Sequence, residues 1–154
     1  MIRRAEPTDR AWMIAAGELV FRDLGDYHAV LASWLDAPGI LAWVDFDEAD
    51  EERRGFAMLG FYLEGETPVA DLLALVVLPE FQKKGIGTDL LNYVVRMAGV
   101  VGPKRGISEL RLTVAESNTA GHRLYLRHRF SFATIDADQY SSGERALRMV
   151  RGLP

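Results

Sequence analysis

Residues 75–91 of this 154-residue chain read Leu75-Val-Val-Leu-Pro79-Glu-Phe-Gln-Lys-Lys-Gly85-Ile-Gly-Thr-Asp-Leu-Leu91. An apolar run from Leu72 to Leu78 stops at Pro79, which has no backbone N–H to donate and therefore ends a central strand. Beyond the loop that follows, apolar residues recur at the spacing of one helix face: Ile86, Leu90, Leu91, Val94, Val95 and Ala98. The stretch predicts a strand, a short glycine-containing loop and a helix.

The loop between that strand and that helix has the features of an anion site. Gly85 and Gly87 lack a Cβ, so a ligand can approach their backbone closely. The first N–H groups of the helix have no partner inside it, and the helix dipole favours an anion there. Lys83 and Lys84 add positive charge. We therefore predict a site for a phosphate or pyrophosphate group.

The two common nucleotide-binding loops do not fit this sequence. A P-loop requires a lysine directly after its last glycine, whereas Ile86 and Thr88 flank Gly87 here. The dinucleotide-binding fingerprint requires a third glycine at the position of Leu90. An ordinary strand–turn–helix with surface lysines is the alternative that involves no ligand.

The loop is similar to the acyl-CoA loop of the GNAT superfamily of N-acetyltransferases. That family has Gln/Arg-x-x-Gly-x-Gly/Ala after a strand ending in Val-x-Pro, and here Gln82-Lys-Lys-Gly-Ile-Gly87 follows Val77-Leu-Pro79. The resemblance implies an α/β (α+β) fold with a mixed, mostly antiparallel central sheet flanked by helices. It also implies acetyl-CoA as co-substrate, bound by Leu75, Val76, Val77, Gln82, Lys83, Lys84, Gly85, Ile86, Gly87, Thr88 and Asn118.

A second informative stretch begins at Asn118 and reads Asn118-Thr-Ala-Gly-His-Arg-Leu-Tyr125. It resembles the family segment Asn-x-x-Ala/Gly-x-x-x-Tyr, which implies that Tyr125 is catalytic and protonates the departing thiolate. Amine attack on a thioester expels a thiolate, and a nearby O–H can neutralise it. Two alternatives involve no ligand: Asn118 could simply cap a helix, and Tyr125 could be a core aromatic residue.

The segment departs from the family pattern after Tyr125. Arg129 precedes Phe130 where the family usually has a glycine, which suits a left-handed helix end. Arginine in that conformation would cost about 1 kcal/mol. We therefore expect His128 to take the turn instead, because histidine is commoner in that region of backbone conformations.

The general base is not evident from the sequence. Related N-terminal acetyltransferases of ribosomal proteins have a glutamate at the position of Thr113, which cannot accept the proton. An ordered water relay is one alternative. The side-chain candidates are Glu116, Asp71 and the group of Asp136, Asp138 and Tyr140. For each of them, a solvated surface residue or a turn former is the commoner role.

Composition excludes several classes of site and partner. There is no cysteine, which removes disulfides, thiolate zinc sites and an acyl-cysteine intermediate. The spacing of His28, His122 and His128 does not suit a metal, so none is expected. The net charge of −4 argues against nucleic acid. Without a membrane-length apolar run or a signal peptide, we expect a cytoplasmic protein without a membrane partner.

The chain length predicts a single domain over residues 1–154, and the resemblance implies that it is an acetyltransferase domain. The resemblance implies the order β-α-α-β-β-β-α-β-α-β-β. The acidic segment from Asp45 to Arg54 is predicted to be a loop. Residues expected in the core are Leu73, Leu75, Leu91, Val94, Leu112 and Leu124.

The functional expectation is direct transfer of an acetyl group to a primary amine of a small molecule or peptide. Two alternatives stay open: an acyl-CoA-binding sensor module without turnover, and a protein N-terminal acetyltransferase. The sequence also leaves a homodimer open. In this family the acceptor side is lined by segments that here contain Trp12, Phe21, Tyr27, Trp34, Tyr62 and Tyr140, which implies a partly aromatic pocket.

Overall fold

The computed structural model describes the backbone of residues 1–154 and every side chain outside 134–139. Its elements follow in the predicted order. The strands are β1 Ile2–Arg4, β2 Ile40–Asp47, β3 Glu52–Glu64, β4 Thr67–Val77, β5 Glu109–Ala115, β6 Ser131–Gln139 and β7 Arg145–Gly152. The helices are α1 Arg10–Phe21, α2 Tyr27–Asp36, α3 Ile86–Val101 and α4 Thr119–Arg127, with single 3₁₀ turns between some elements.

The seven strands form one sheet in the order β1-β2-β3-β4-β5-β7-β6. Neighbours pair antiparallel except β4 and β5, which are parallel. This confirms the predicted mixed, mostly antiparallel sheet flanked by helices. No helix among the residues the structure describes is long and apolar enough to cross a membrane.

The two faces of the sheet are covered by different helices because successive strand residues point to opposite sides. On β3, Leu59 faces the apolar stripe of α3, where Leu91 is fully buried. The neighbouring Met58 faces the opposite way, into a second core that contains Met13 of α1 and Leu31 of α2.

The β4 and β5 strands separate part way along their length. They pair only from Ala70–Leu110 to Leu72–Leu112. At that point β4 contains a bulge, since Leu72 and Ala74 pair with consecutive β3 residues and leave Leu73 as the extra residue. Beyond the bulge, a cleft opens between β4 and the end of β5.

The prediction of a loop from Asp45 to Arg54 is wrong. Strand β2 continues to Asp47 and β3 begins at Glu52, so a turn of residues 48–51 joins them. Asp45 is only 3% exposed, and its carboxylate accepts a hydrogen bond of 2.7 Å from the Arg54 guanidinium. This ion pair neutralises the buried charge of Asp45, so the charged residues at the end of β2 can take part in the sheet.

The expected core residues divide into two groups. Leu91, Val94 and Leu112 are buried, as predicted. Leu73, Leu75 and Leu124 are only half-buried. The reason for Leu73 and Leu75 is the cleft, because both residues line the cavity that it contains.

Candidate active site

A cavity of about 440 Å³ occupies the cleft between β4 and β5. One end is bordered by Leu75, Asn118 and Tyr125, close to the glycine loop. We call this the cofactor end. The opposite end, the acceptor end, is bordered by Val20, Phe21, Leu24, Tyr27, Trp34 and Tyr140.

The glycine loop is held against the end of β4 with its backbone facing open space. The Gln82 side-chain amide donates a 3.0 Å hydrogen bond to the Val77 carbonyl. Gly85 has a φ of +84° and precedes α3, and a Cβ built on it would meet no protein atom within 4 Å. The first N–H groups of α3 lack helical partners. The loop therefore offers backbone donors to a ligand that approaches Gly85.

The other loop residues contribute in different ways. Lys83 and Lys84 are exposed, and the Lys84 ammonium lies over the Phe81 ring. Ile86 buries its side chain in the core, so only its backbone can face a ligand. A Cβ on Gly87 would lie 3.7 Å from the Val77 side chain and 3.9 Å from that of Leu124, so Gly87 lies between the end of β4 and α4.

The backbone of β4 also faces the cleft. The Leu78 N–H donates to the Arg54 carbonyl of β3. Because successive residues alternate in direction, the backbone groups of Leu75 and Val77 point away from β3, into the cleft. The hydrogen bond from Gln82 to the Val77 carbonyl agrees with this direction. Val76 lies between them, so its backbone groups point toward β3, and its side chain is fully buried against α1 and α2.

Asn118 caps α4 and borders the cavity at the same time. Its side-chain oxygen accepts a 2.9 Å hydrogen bond from the Gly121 N–H, which is the N-cap interaction. Asn118 also lies on the cavity wall with Tyr125. The cap and a ligand contact are therefore compatible, as the sequence left open.

The C-terminal end of α4 fixes the position of Tyr125. The N–H of Phe130 donates to the Tyr125 carbonyl and that of Arg129 donates to the Leu126 carbonyl, which is the Schellman pattern. The Tyr125 and Phe130 rings meet edge to face with centroids 5.8 Å apart. This ring contact is the apolar contact that usually accompanies the motif, and it holds Tyr125 toward the cavity.

The expectation that His128 takes the left-handed turn is wrong. Arg129 itself has a φ of +68°, whereas His128 has a φ of −102°. The Schellman pattern requires the left-handed residue directly before Phe130, so the strain falls on Arg129. The Arg151 guanidinium donates a 3.0 Å hydrogen bond to the His128 carbonyl and supports this helix end.

Three phenols border the cavity, and burial raises the pKa of each. The pKa of Tyr125 rises to about 12, and that of Tyr27 also rises. For Tyr140, burial is the main cause of a raised pKa, and the nearby Tyr27 and Glu144 raise it further. All three hydroxyls are therefore protonated at neutral pH and can act as donors.

Glu116 and Asp71, the two general-base candidates whose carboxylates are described, lie away from the cavity wall. Glu116 is exposed and forms an ion pair with Arg145. Asp71 accepts a 2.6 Å hydrogen bond from the Tyr62 hydroxyl, and burial raises its pKa. The other two candidates, Asp136 and Asp138, lie outside the described side chains. No described residue on the cavity wall is Asp, Glu or His.

The predicted aromatic residues divide between this site and the rest of the fold. Phe21, Tyr27, Trp34 and Tyr140 line the acceptor end. Trp12 instead packs against Phe56, and Tyr62 bonds to Asp71 and Arg111. Within the part of the chain whose side chains are described, no group of three His, Cys, Asp or Glu residues could hold a metal ion.

Sequence reasoning missed a contact at the acceptor end, between Leu24 and the turn that contains Ser141 and Ser142. The Ser142 N–H and the Ser141 hydroxyl each donate a 3.2 Å hydrogen bond to the Leu24 carbonyl. Ser141 and Leu24 are 117 residues apart. Neither serine belongs to a motif, so no local signal in the sequence could have paired them with Leu24.

Comparisons with known proteins agree with this geometry. Residues 8–130 match the family model described as the Acetyltransferase (GNAT) family. The NAA60 structure from Arabidopsis thaliana, in complex with a bisubstrate analogue, is 19% identical over 99% of this chain and 97% of that chain, with a TM-score of 0.76. A ribosomal-protein alanine N-acetyltransferase from Escherichia coli is 23% identical over 99% and 93%, with a TM-score of 0.72.

A third similar structure is an aminoglycoside 6'-N-acetyltransferase complexed with coenzyme A. It is 17% identical over 100% of this chain and 97% of that chain, with a TM-score of 0.74. At these identities the three structures establish a shared fold. No curated protein sequence gives a significant match.

Proposed function

The chain belongs to the GNAT family of acetyltransferases, and we propose that it moves an acetyl group directly onto a primary amine within the cleft between β4 and β5. As a family member it is an N-acetyltransferase with acetyl-CoA as its co-substrate. The observation that carries the proposal is the continuous cavity, which joins the cofactor end beside the glycine loop to an aromatic acceptor end past Tyr125.

The cofactor end supplies contacts for each part of acetyl-CoA. Backbone N–H groups of residues 82–88 would hold the pyrophosphate, with Lys83 and Lys84 adding positive charge. The backbone of Leu75 and Val77 would pair with the pantetheine arm as a neighbouring strand does. One of their N–H groups would polarise the thioester oxygen. Asn118 and Tyr125 would then lie beside the sulfur.

Tyr125 would control the proton in the transfer step. The amine nitrogen forms a bond to the thioester carbon, the C–S bond breaks, and the sulfur leaves as a thiolate. Because burial raises the pKa of Tyr125 to about 12, a free phenolate is unfavourable. Tyr125 would therefore give its proton to sulfur while it recovers one, through water, from the nitrogen.

The amine must lose a proton before it attacks. An alkylammonium that enters the apolar acceptor end loses hydration, which lowers its pKa and favours the neutral amine. Water can accept the released proton, because no described residue on the wall is a carboxylate or an imidazole. Asp71 lies off the described wall, where it accepts a hydrogen bond from Tyr62, so Asp71→Asn should leave kcat nearly unchanged. A large loss of kcat in Asp71→Asn would instead identify Asp71 as the base.

The experiment that tests the proposal combines binding with turnover. Calorimetry should detect acetyl-CoA binding, and a thiol-release assay over a panel of amines and peptides should detect transfer. Tight acetyl-CoA binding with no turnover across the panel would contradict the proposal and favour the sensor module. Transfer to protein N-termini alone would favour the N-terminal acetyltransferase. A cytoplasmic location, a single domain and a homodimer stay predictions.

A further inference from the structure

Two turns meet at the rim of the acceptor end and form a contact that we call the latch. It consists of Leu24 and Gly25, between α1 and α2, and of Ser141 and Ser142, between β6 and β7. The Leu24 carbonyl accepts hydrogen bonds of 3.2 Å from the Ser142 N–H and from the Ser141 hydroxyl. A Cβ on Gly25 would collide with the Ser141 hydroxyl, so the turns are in close contact.

The latch is continuous with the cavity wall. Leu24 itself borders the cavity, as do Tyr27 on one side and Tyr140 on the other. The second turn is a closed unit, because the Gly143 N–H bonds to the Tyr140 carbonyl and the Tyr140 N–H bonds to the Glu144 carbonyl. An acceptor that extends outward past Tyr27 and Tyr140 therefore meets the hydrogen-bonded latch.

The chemistry of the acceptor end favours an apolar body. Its described side chains are aliphatic or aromatic, and the hydroxyls of Tyr27 and Tyr140 are protonated. Among the described wall residues, a second ammonium group would find no carboxylate as its counter-charge. Phe21 and Tyr27, whose ring centroids are 4.9 Å apart, both line this end, and an aromatic wall suits another apolar group.

We propose that the acceptor is a compact primary amine with one cationic group and an apolar, ring-sized body, and that the latch excludes amines that continue as a peptide chain. This inference rests on the proposed function and specifies its substrate class. The acceptor end is one part of a cavity of about 440 Å³, a size that suits a compact acceptor.

A matched pair of acceptors tests the exclusion of chains. Phenylalaninamide and an octapeptide that begins with phenylalanine have the same reactive residue and differ only in the chain beyond it. Two further acceptors, 2-phenylethylamine and spermidine, are assayed separately, and kcat/KM for each acceptor is measured by thiol release. We expect kcat/KM for phenylalaninamide and 2-phenylethylamine to exceed that for the octapeptide and for spermidine by about tenfold or more.

Latch variants show whether the contact itself causes the exclusion. Ser141→Ala with Ser142→Pro removes both donors to Leu24, and neither serine lines the cavity. Ser141→Ala with Ser142→Ala is the matched control, since it keeps the backbone N–H. Only the proline variant should raise the octapeptide to phenylalaninamide ratio of kcat/KM, by about threefold or more.

A second variant covers the case in which the proline variant does not fold. Gly25→Ala forces a Cβ against Ser141 and should raise the same ratio. Gly65→Ala is its control, because Gly65 also has a positive φ but its Cβ would meet nothing within 4 Å.

Each outcome bears on one claim. Equal wild-type kcat/KM for phenylalaninamide and the octapeptide would overturn the latch proposal while acetyl transfer stands. If spermidine were the preferred acceptor, the claim that the acceptor has an apolar body and one cationic group would be overturned. Acetyl-CoA binding without turnover of any acceptor would instead overturn the proposed function.

Discussion

The two ends of the cleft are assembled in different ways. The glycine loop beside the cofactor end comes from one continuous stretch, and its hydrogen bond joins Gln82 to Val77, five residues apart. The acceptor end collects side chains from α1, α2 and the turns after α1 and before β7, and its latch joins residues 117 positions apart. A local motif can therefore reveal the first end, whereas only the folded chain brings the second together.

The sharpest test of this difference is a charge placed in the loop of the cofactor end. Gly85→Glu points a carboxylate into the open space where the pyrophosphate would lie, and it adds strain at a φ of +84°. We expect acetyl-CoA affinity to fall by at least about 100-fold through bulk and like charge. Calorimetry measures this directly.

The matched control is Gly65→Glu, which has the same chemistry at a φ of +63° in a turn where a Cβ meets nothing within 4 Å. Its acetyl-CoA affinity should equal that of the wild type. Equal losses in both variants would mean that strain or misfolding, rather than a ligand at Gly85, explains the effect.

Tyr125 stands where the two ends meet, and its hydroxyl should matter for turnover rather than for binding. Tyr125→Phe keeps the ring contact with Phe130 but removes the donor. We expect kcat to fall by about 10²–10⁴-fold with little change in acetyl-CoA affinity. Because the pKa is raised to about 12, wild-type kcat should show no loss from Tyr125 deprotonation up to about pH 10.

Tyr93→Phe provides the comparison, since it removes a hydroxyl from a ring on α3 that packs against Trp43 and lies outside the cavity wall. It should leave kcat nearly unchanged. If Tyr125→Phe turned over as fast as this control, with chemistry limiting the rate, Tyr125 would have no part in the mechanism.

The third test concerns the packing of α3, the helix that follows the glycine loop, against the sheet. Leu91 is fully buried on the face of α3 that packs against the sheet. Leu91→Ala should lower the free energy of unfolding by about 2–5 kcal/mol, as measured by denaturant titration. Val100 on the same helix is 52% exposed, so Val100→Ala should lower the free energy of unfolding by less than about 0.5 kcal/mol. Similar losses would contradict the assigned packing of α3.

The smallest expected effect lies at the helix end that positions Tyr125. Arg129→Gly removes the strain of a φ of +68°. It also removes a like charge near Arg151, whose pKa is lowered mainly by burial and further by Arg129. We expect a gain in stability of about 1 kcal/mol or less. Arg123→Gly, at an exposed position inside α4, should instead destabilise by a similar amount. A loss of stability in Arg129→Gly would show that the arginine side chain makes a compensating contact.

Much of the fold was predictable because the signals are local. Pro79, the glycines of the loop and the apolar stripe of α3 each determine nearby backbone, and the element order was correct. The segment from Asp45 to Arg54 was misassigned because its charge suggested solvent, whereas the pairing of Asp45 with Arg54 is visible only across two strands.

The site was predictable to the same extent. Leu75, Asn118 and Tyr125 border one cavity, whereas the loop residues Gln82 to Thr88 lie outside its wall, and the role of both groups stays a prediction. The bulge at Leu73 and the latch have no local sequence signal, because each depends on which strands or turns become neighbours. The identity of the proton acceptor depends on the same long-range geometry.

The most direct test of the central claim is an initial-rate study in which acetyl-CoA and an accepted amine are both varied. Direct transfer in one cleft requires both substrates to be bound together, so double-reciprocal plots should intersect, with one free thiol formed per acetylated amine. A chain without cysteine also lacks the commonest acyl-carrying nucleophile. Parallel lines, the pattern of a covalent acetyl-enzyme, would contradict direct transfer.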